Sequence, residues 1–127
     1  YEQLWELLDP VHFETIQIKR DIALLNSLLF AFANKAEINV DALSNQDFLE
    51  RLDHACSNRW GLVIELVIET FTRCRLCKKT KVSVKDFVEV FAQKTGTPAK
   101  YSPFTAPDFR EAFDPAKMLE IFEQRSQ

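Results

Sequence analysis

Apolar positions recur along most of this chain at the spacing of helices. Phe13, Ile16, Ile22, Leu25, Leu29 and Phe32 predict a helix through about residue 35. Before it, Asp9-Pro10 breaks a short opening segment carrying Leu4, Trp5, Leu7 and Leu8. Asn34 to Asn39 reads as a polar turn with Ile38 and Val40 tucking back. Ser44-Asn45-Gln46-Asp47 has the S-x-x-D form of a helix start, with Ser44 as the expected cap. The helix it opens carries Phe48, Leu49, Leu52, Ala55 and Cys56 on one side.

A longer helix is expected over Arg59–Cys77. Leu62, Val63, Leu66, Val67, Phe71 and Cys74 form a broad apolar stripe, which Ile64 and Ile68 widen. That breadth predicts the most enclosed helix of the molecule. Its β-branched residues would suit a strand, but the length of the run argues for helix. Ser83-Val84-Lys85-Asp86 repeats the cap pattern ahead of Phe87, Val88, Phe91 and Ala92. Gly96 then suits a left-handed C-terminal cap, with Pro98 as a further stop. Residues 97–108 hold Pro98, Pro103 and Pro107 and read as an irregular link, with Tyr101 and Phe104 as anchors. Phe109, Ala112 and Phe113 predict a further turn or two of helix. Asp114-Pro115 restarts a last helix lined by Met118, Leu119 and Phe122. The expectation is an all-α, compact bundle of about five or six helices over residues 1–100, with residues 101–127 packing back as a C-terminal helical extension.

Composition narrows the function classes. A chain of 127 residues that is 46% hydrophobic can build one core but not comfortably two domains. A net charge of −3 gives no global drive toward nucleic acid or anionic lipid. With only Gly61 and Gly96, these residues cannot form a Gly-rich phosphate loop. No apolar run approaches a membrane span, so no membrane partner is expected. The chain opens Tyr1-Glu2-Gln3-Leu4, without Met or a basic, apolar leader, which points to no signal peptide and hints at a piece of a longer protein. Cys56, Cys74 and Cys77 form an odd set that fits a reducing cytoplasm. Cys74-Arg75-Leu76-Cys77 is formally C-x-x-C. Its position late in a helix and the distance of His12 and His54 favour two structural thiols over zinc or redox chemistry.

Catalysis by a nucleophile and base finds no constellation here. His54, near a helix end, suits contact with terminal carbonyls, and His12 suits a loop or cap. Glu65 and Glu69 read as a solvated stripe rather than a metal pair. Arg73, Arg75, Lys78, Lys79, Lys81 and Lys85 form a basic cluster in an acidic chain. A helix C-terminus accounts for part of it, and contact with a DNA backbone is the functional reading.

The sharpest candidate is Ser57-Asn58-Arg59-Trp60-Gly61, which follows one predicted helix and opens another. A helix N-terminus leaves N–H groups unpaired and favours an anion, and a guanidinium adds donors suited to phosphate. Arg59 is equally compatible with a surface pair to Asp53 or Glu65, and Gly61 with close helix packing.

The stretch Leu8–Phe122 resembles the C-terminal helical lid of AAA-type ATPases, especially the TniB-like DNA-transposition ATP-binding proteins. The resemblance is carried by Phe48-Leu49-Glu50-Arg51-Leu52-Asp53-His54-Ala55, by Arg59-Trp60-Gly61-Leu62-Val63-Ile64-Glu65-Leu66, by the helix ending at Phe91-Ala92, and by Phe109 to Lys117. It implies that Arg59 acts as the lid's sensor-2 arginine, with Asn58 and Gly61 shaping its turn. It also implies ATP with Mg in a longer parent, an N-terminal ATPase core, neighbouring subunits of a homo-oligomer, and DNA with a transposase as partners. The Walker motifs and sensor 1 are absent from these residues, so no ATP hydrolysis and no cofactor are expected of this segment alone. The alternatives are a stand-alone helical interaction domain and a small DNA-binding protein using Arg73, Arg75, Lys78, Lys79 and Lys81.

Overall fold

The structure, a computed structural model, describes residues 15–116. Among these residues five α-helices run in chain order: α1 Ile18–Ala36, α2 Gln46–Ala55, α3 Trp60–Leu76, α4 Val84–Thr95 and α5 Phe109–Ala112. Short 3-10 turns at Asp41–Leu43 and Ala99–Tyr101 interrupt the connections. The described residues contain no strand, only two isolated backbone bridges. The all-α expectation holds. The opening segment around Leu4–Pro10, His12, Phe13, and the last helix with Met118, Leu119 and Phe122 lie outside the described residues.

Helix α3 occupies the middle of the bundle, packed against α1 and α4, while α1 also packs on α2. Nine of its residues are buried, among them Trp60, Leu62, Val63, Ile64, Leu66, Val67 and Phe71, so the helix is enclosed on most of its circumference. Helical propensity alone would not hold so many β-branched residues; tertiary burial overrides it. Lys94 of α4, with its side chain only 7% exposed, is one polar link across this packing. Its ammonium reaches Glu65 at 2.7 Å and Glu69 at 3.2 Å on α3. The predicted solvated stripe is thus partly engaged in a helix–helix link, which removes the penalty of an unpaired buried cation.

The helix ends explain the chain path. Glu37 takes a left-handed conformation after α1, and Ile38 N–H returns to the Ala33 carbonyl at 3.0 Å, closing a Schellman cap. Asn45, not Ser44, caps α2 by accepting from Phe48 N–H at 2.8 Å. Ser44 is drawn away because its hydroxyl donates to Asn26 of α1 at 2.9 Å. Ser83 and Asp86 form the predicted reciprocal box at the start of α4, and Gly96 ends it at φ 75°. A parallel bridge between Asn39 and Lys81 ties the α1–α2 connection to the α3–α4 turn.

The segment after Gly96 joins the same core. Phe104 inserts among Phe48, Phe87 and Phe91, with ring centroids 5.8, 5.6 and 5.5 Å away. Phe113 packs on Phe91 at 5.2 Å. Arg51 of α2 donates to the carbonyls of Pro103 and Ala106 at 3.2 and 2.7 Å, and its guanidinium lies 4.7 Å from the Phe109 ring. Tyr101, expected as an anchor, is 50% exposed instead. The 3-10 turn directs its ring outward, where Lys100 lies over it at 4.8 Å.

Phe104→Ala should cost about 3–5 kcal/mol, because the cavity left among three rings cannot fully collapse. Urea unfolding of the two proteins measures it, and limited proteolysis should cut the Gly96–Phe113 segment faster in the variant.

Candidate functional site

The turn between α2 and α3 is built by a Schellman cap whose pivotal residue is not glycine. Ser57 N–H bonds the His54 carbonyl at 3.1 Å, and Asn58 N–H bonds the Asp53 carbonyl at 3.0 Å. Ser57 and Asn58 have φ of 55° and 58°. Two successive non-glycine residues in this region carry a strain of about 1–2 kcal/mol each, less for asparagine, which tolerates it. Side chains offset that strain. Asn58 Nδ2 donates to Asp53 Oδ2 at 2.6 Å, so Asp53 holds Asn58 with both its main chain and its carboxyl group. On the other side, Ile16 N–H donates to the Asn58 carbonyl at 2.7 Å within the Thr15–Arg59 bridge.

Arg59 is the N-cap of α3, one residue before the helix proper. Its backbone is extended, at φ −117° and ψ 120°, and its side chain is exposed. The guanidinium has no hydrogen bond or ion pair among the described residues; neither Asp53 nor Glu65 binds it. Among the described residues no side-chain oxygen caps α3, and its first turn contains no acid. Cation and helix N-terminus therefore carry the same sign of field at one end of α3. Gly61 is the second residue of α3, half-buried. The left-handed conformations that give the turn its shape belong to Ser57 and Asn58 rather than to this glycine.

Asp53 is what sequence inspection missed. It was legible only as an exposed partner for Arg59, yet it is 2% exposed and its Oδ1 has no hydrogen-bond partner among the described residues. Burial pushes its carboxyl up to about 6, against a lowering by the Asn58 amide and by Arg110. It also sits in the last turn of α2, where the helix dipole disfavours a negative charge. A signal existed in the five-residue spacing from Asp53 to Asn58, which spans a Schellman cap.

The basic cluster divides in two. Arg73 donates to Gln93 at 2.5 Å, Arg75 pairs with Glu37 at 3.4 Å, and Lys79 pairs with Asp86. Burial alone would push the Asp86 carboxyl up, but Lys79 and the Ser83 N–H and hydroxyl outweigh it and hold it below its ordinary range. Lys78, Lys81 and Lys85 are exposed with no side-chain partner among the described residues. Beside them a cavity of about 60 Å³ is lined by Thr70, Arg73, Cys74, Cys77, Lys79 and Asp86, with room for a water or two rather than a ligand. Cys74 is buried and its thiol is pushed up to about 11, chiefly by burial, while Cys77 is exposed. His54 Nε2 lies 3.1 Å from the Phe113 carbonyl, so it meets a terminal carbonyl of α5. Among the described residues no three His, Cys, Asp or Glu side chains are placed to hold a metal ion. No described helix is long and apolar enough to cross a membrane.

Comparison with protein-family models, with characterised proteins and with solved structures gave no match.

The titrating groups oppose one another. Asp53 binds its proton more tightly folded than unfolded, so its contribution is fully present below pH 3.8 and is lost as pH rises through about 6. Asp21, held low chiefly by Arg20 and then by the Gln17 N–H, and Asp86 contribute above pH 3.8 and lose their contribution as pH falls below it. Asp53→Asn should therefore raise the melting temperature more at pH 7.5 than at pH 4.5. Melting curves at the two pH values check this, and an equal change at both would contradict the assignment.

Proposed function

We propose that this chain is the helical lid of an AAA-type ATP-binding protein, related to the TniB-like DNA-transposition ATPases, with Arg59 as its phosphate-sensing arginine. The observation that supports this reading is the exposed Arg59 guanidinium, without a partner among the described residues, at an N-terminus that no side chain caps. Asp53 and Glu65, the acids proposed as its surface partners, are engaged elsewhere, which leaves the guanidinium available to an anion.

The residues present fit a phosphate and not its metal. Arg59 and the α3 N-terminus supply positive field and N–H donors, whereas the described residues offer no cluster for a cation. ATP bound to an N-terminal core would supply the negative charge that this face attracts. The turn at Ser57–Asn58 fixes where the guanidinium starts, and the enclosed α3 behind it transmits any displacement of that turn to α1 and α4. Closure of this kind would change contacts with neighbouring subunits of a homo-oligomer. Mg would be held by the core. In that assembly Lys78, Lys81 and Lys85 form the open cationic surface at the opposite end of α3, suited to a DNA backbone. Arg73, Arg75 and Lys79 take a lesser share, because each is already engaged. The transposase partner and a cytoplasmic setting belong to the family reading.

The reading requires a G-x-x-x-x-G-K-[ST] segment upstream in the same reading frame. In that longer chain, Arg59→Ala should lower ATP turnover by about tenfold to a hundredfold with no loss of helicity by circular dichroism. An unchanged rate would falsify the sensor role.

The 127-residue chain should bind duplex DNA weakly, with affinity falling as salt rises. Replacing Lys78, Lys81 and Lys85 together with Gln should remove about two to three units from the slope of log affinity against log salt. Fluorescence anisotropy of a labelled duplex reads it, and an identical slope in the variant removes these lysines from the interface.

A further inference from the structure

Asp53 carries an anomaly that the fold alone does not explain. A carboxyl group is enclosed at 2% exposure with one oxygen bound to Asn58 and the other without a partner among the described residues. Native proteins rarely leave a buried polar atom unpartnered, and less often one that can ionise. Leucine or alanine at this position would relieve the core of a cost. What the carboxyl group does instead is grip Asn58, the second of two left-handed residues and the one that immediately precedes Arg59.

We propose that Asp53 is the positioning residue of the Arg59 site, clasping Asn58 so that the left-handed turn aims the guanidinium away from the bundle and toward an oxyanion. This deepens the phosphate-sensing reading and rests on it. The clasp has two strands: the Asp53 carbonyl accepts the Asn58 N–H, and its Oδ2 accepts the Asn58 amide. The first is common to any Schellman cap. The second is specific to this pair and locks the side chain of Asn58, which in turn presents its carbonyl to Ile16.

A consequence follows from charge. Asp53 is faced by Asp21 from α1, by Glu50 on its own helix, by Arg110 from α5 and by Cys56 just beyond the helix end. Asp21 is occupied by Gln17 and Arg20, and Arg110 stands near Glu50 at 4.0 Å and over the Phe109 ring. No charged donor is hydrogen-bonded to Asp53 among the described residues. An anion arriving at Arg59 sits one residue beyond Asn58, whose amide the carboxyl group holds, and its negative charge favours protonation of that carboxyl group, which still accepts from Asn58 when neutral. By linkage, the protonated carboxyl favours the anion equally. With its midpoint at about 6, Asp53 makes oxyanion binding stronger at pH 5.5 than at pH 7.5.

The test uses the 127-residue chain, with sulfate as a probe whose own charge does not change over this pH range. Backbone amide resonances of Asn58, Arg59 and Gly61 are followed by NMR, first across pH without sulfate and then across sulfate at pH 5.5 and 7.5. The wild type should show these amides titrating with a midpoint near pH 6, and a sulfate affinity at least about twofold higher at the lower pH. Asp53→Asn, which keeps an oxygen for Asn58 and removes the charge, should fold, lose the titration and bind sulfate equally at both pH values. His54→Gln should keep both pH effects, because His54 faces Phe113 instead. Arg59→Ala should abolish the sulfate shifts. A pH effect that persists in Asp53→Asn, or amides of Asn58 and Arg59 indifferent to Asp53, would overturn the proposal. Sulfate shifts absent from Arg59 at both pH values, with the Asp53 titration intact, would instead overturn the phosphate reading on which it rests.

Discussion

The enclosure of α3 is the constraint on which the rest of this structure depends. Trp60, Leu62, Val63, Ile64, Leu66, Val67, Phe71 and Cys74 are all buried, so the helix needs neighbours on nearly every side. Helices α1 and α4 provide them. Polar residues along α3 must then be satisfied inside the packing, as Thr70 is by the Leu66 carbonyl at 2.8 Å and Glu65 by Lys94. A helix so enclosed reaches solvent mainly at its two ends. Both regions of interest, Arg59 at one end and Lys78 with Lys81 at the other, lie where the apolar stripe stops.

Each end solves the problem of leaving a helix in its own way. At the C-terminus, Lys78 takes a left-handed conformation at φ 59°, and Lys79 N–H returns to the Cys74 carbonyl at 2.9 Å. Lys79 then anchors on Asp86, which also starts α4, so one carboxylate couples the end of α3 to the beginning of the next helix. At the N-terminus the preceding α2 ends in a comparable cap, but the residue gripping it is an acid with an unsatisfied oxygen. The first arrangement neutralises Asp86 and leaves Lys78 and Lys81 open to solvent. The second leaves one buried carboxyl oxygen and the Arg59 guanidinium without a partner among the described residues, and this contrast is what supports the proposal made for Arg59.

Much of the fold was legible in the pattern of apolar residues, because helices bury whole stripes and a stripe survives in one dimension. The bounds of α3, the Ser83–Asp86 box and the Gly96 cap follow from local chemistry and appear where local chemistry places them. Ser44 and Tyr101 misled for the same reason. Asn26, from a helix many residues earlier, draws the Ser44 hydroxyl, and the 3-10 turn points Tyr101 outward. Arg51 gave no local sign that it would hold the carbonyls of Pro103 and Ala106.

The sequence by itself determined that the chain is helical, where its longest apolar helix runs and that an arginine stands at that helix's start. These are properties of neighbours within a turn or two, where backbone geometry converts spacing directly into position. Only the tertiary structure decided that Asp53 is buried, that Lys94 lies between Glu65 and Glu69, and which cations of the basic cluster remain open. Burial and pairing depend on groups brought together from distant helices, and the dielectric that sets the behaviour of a charge exists only once they have closed around it.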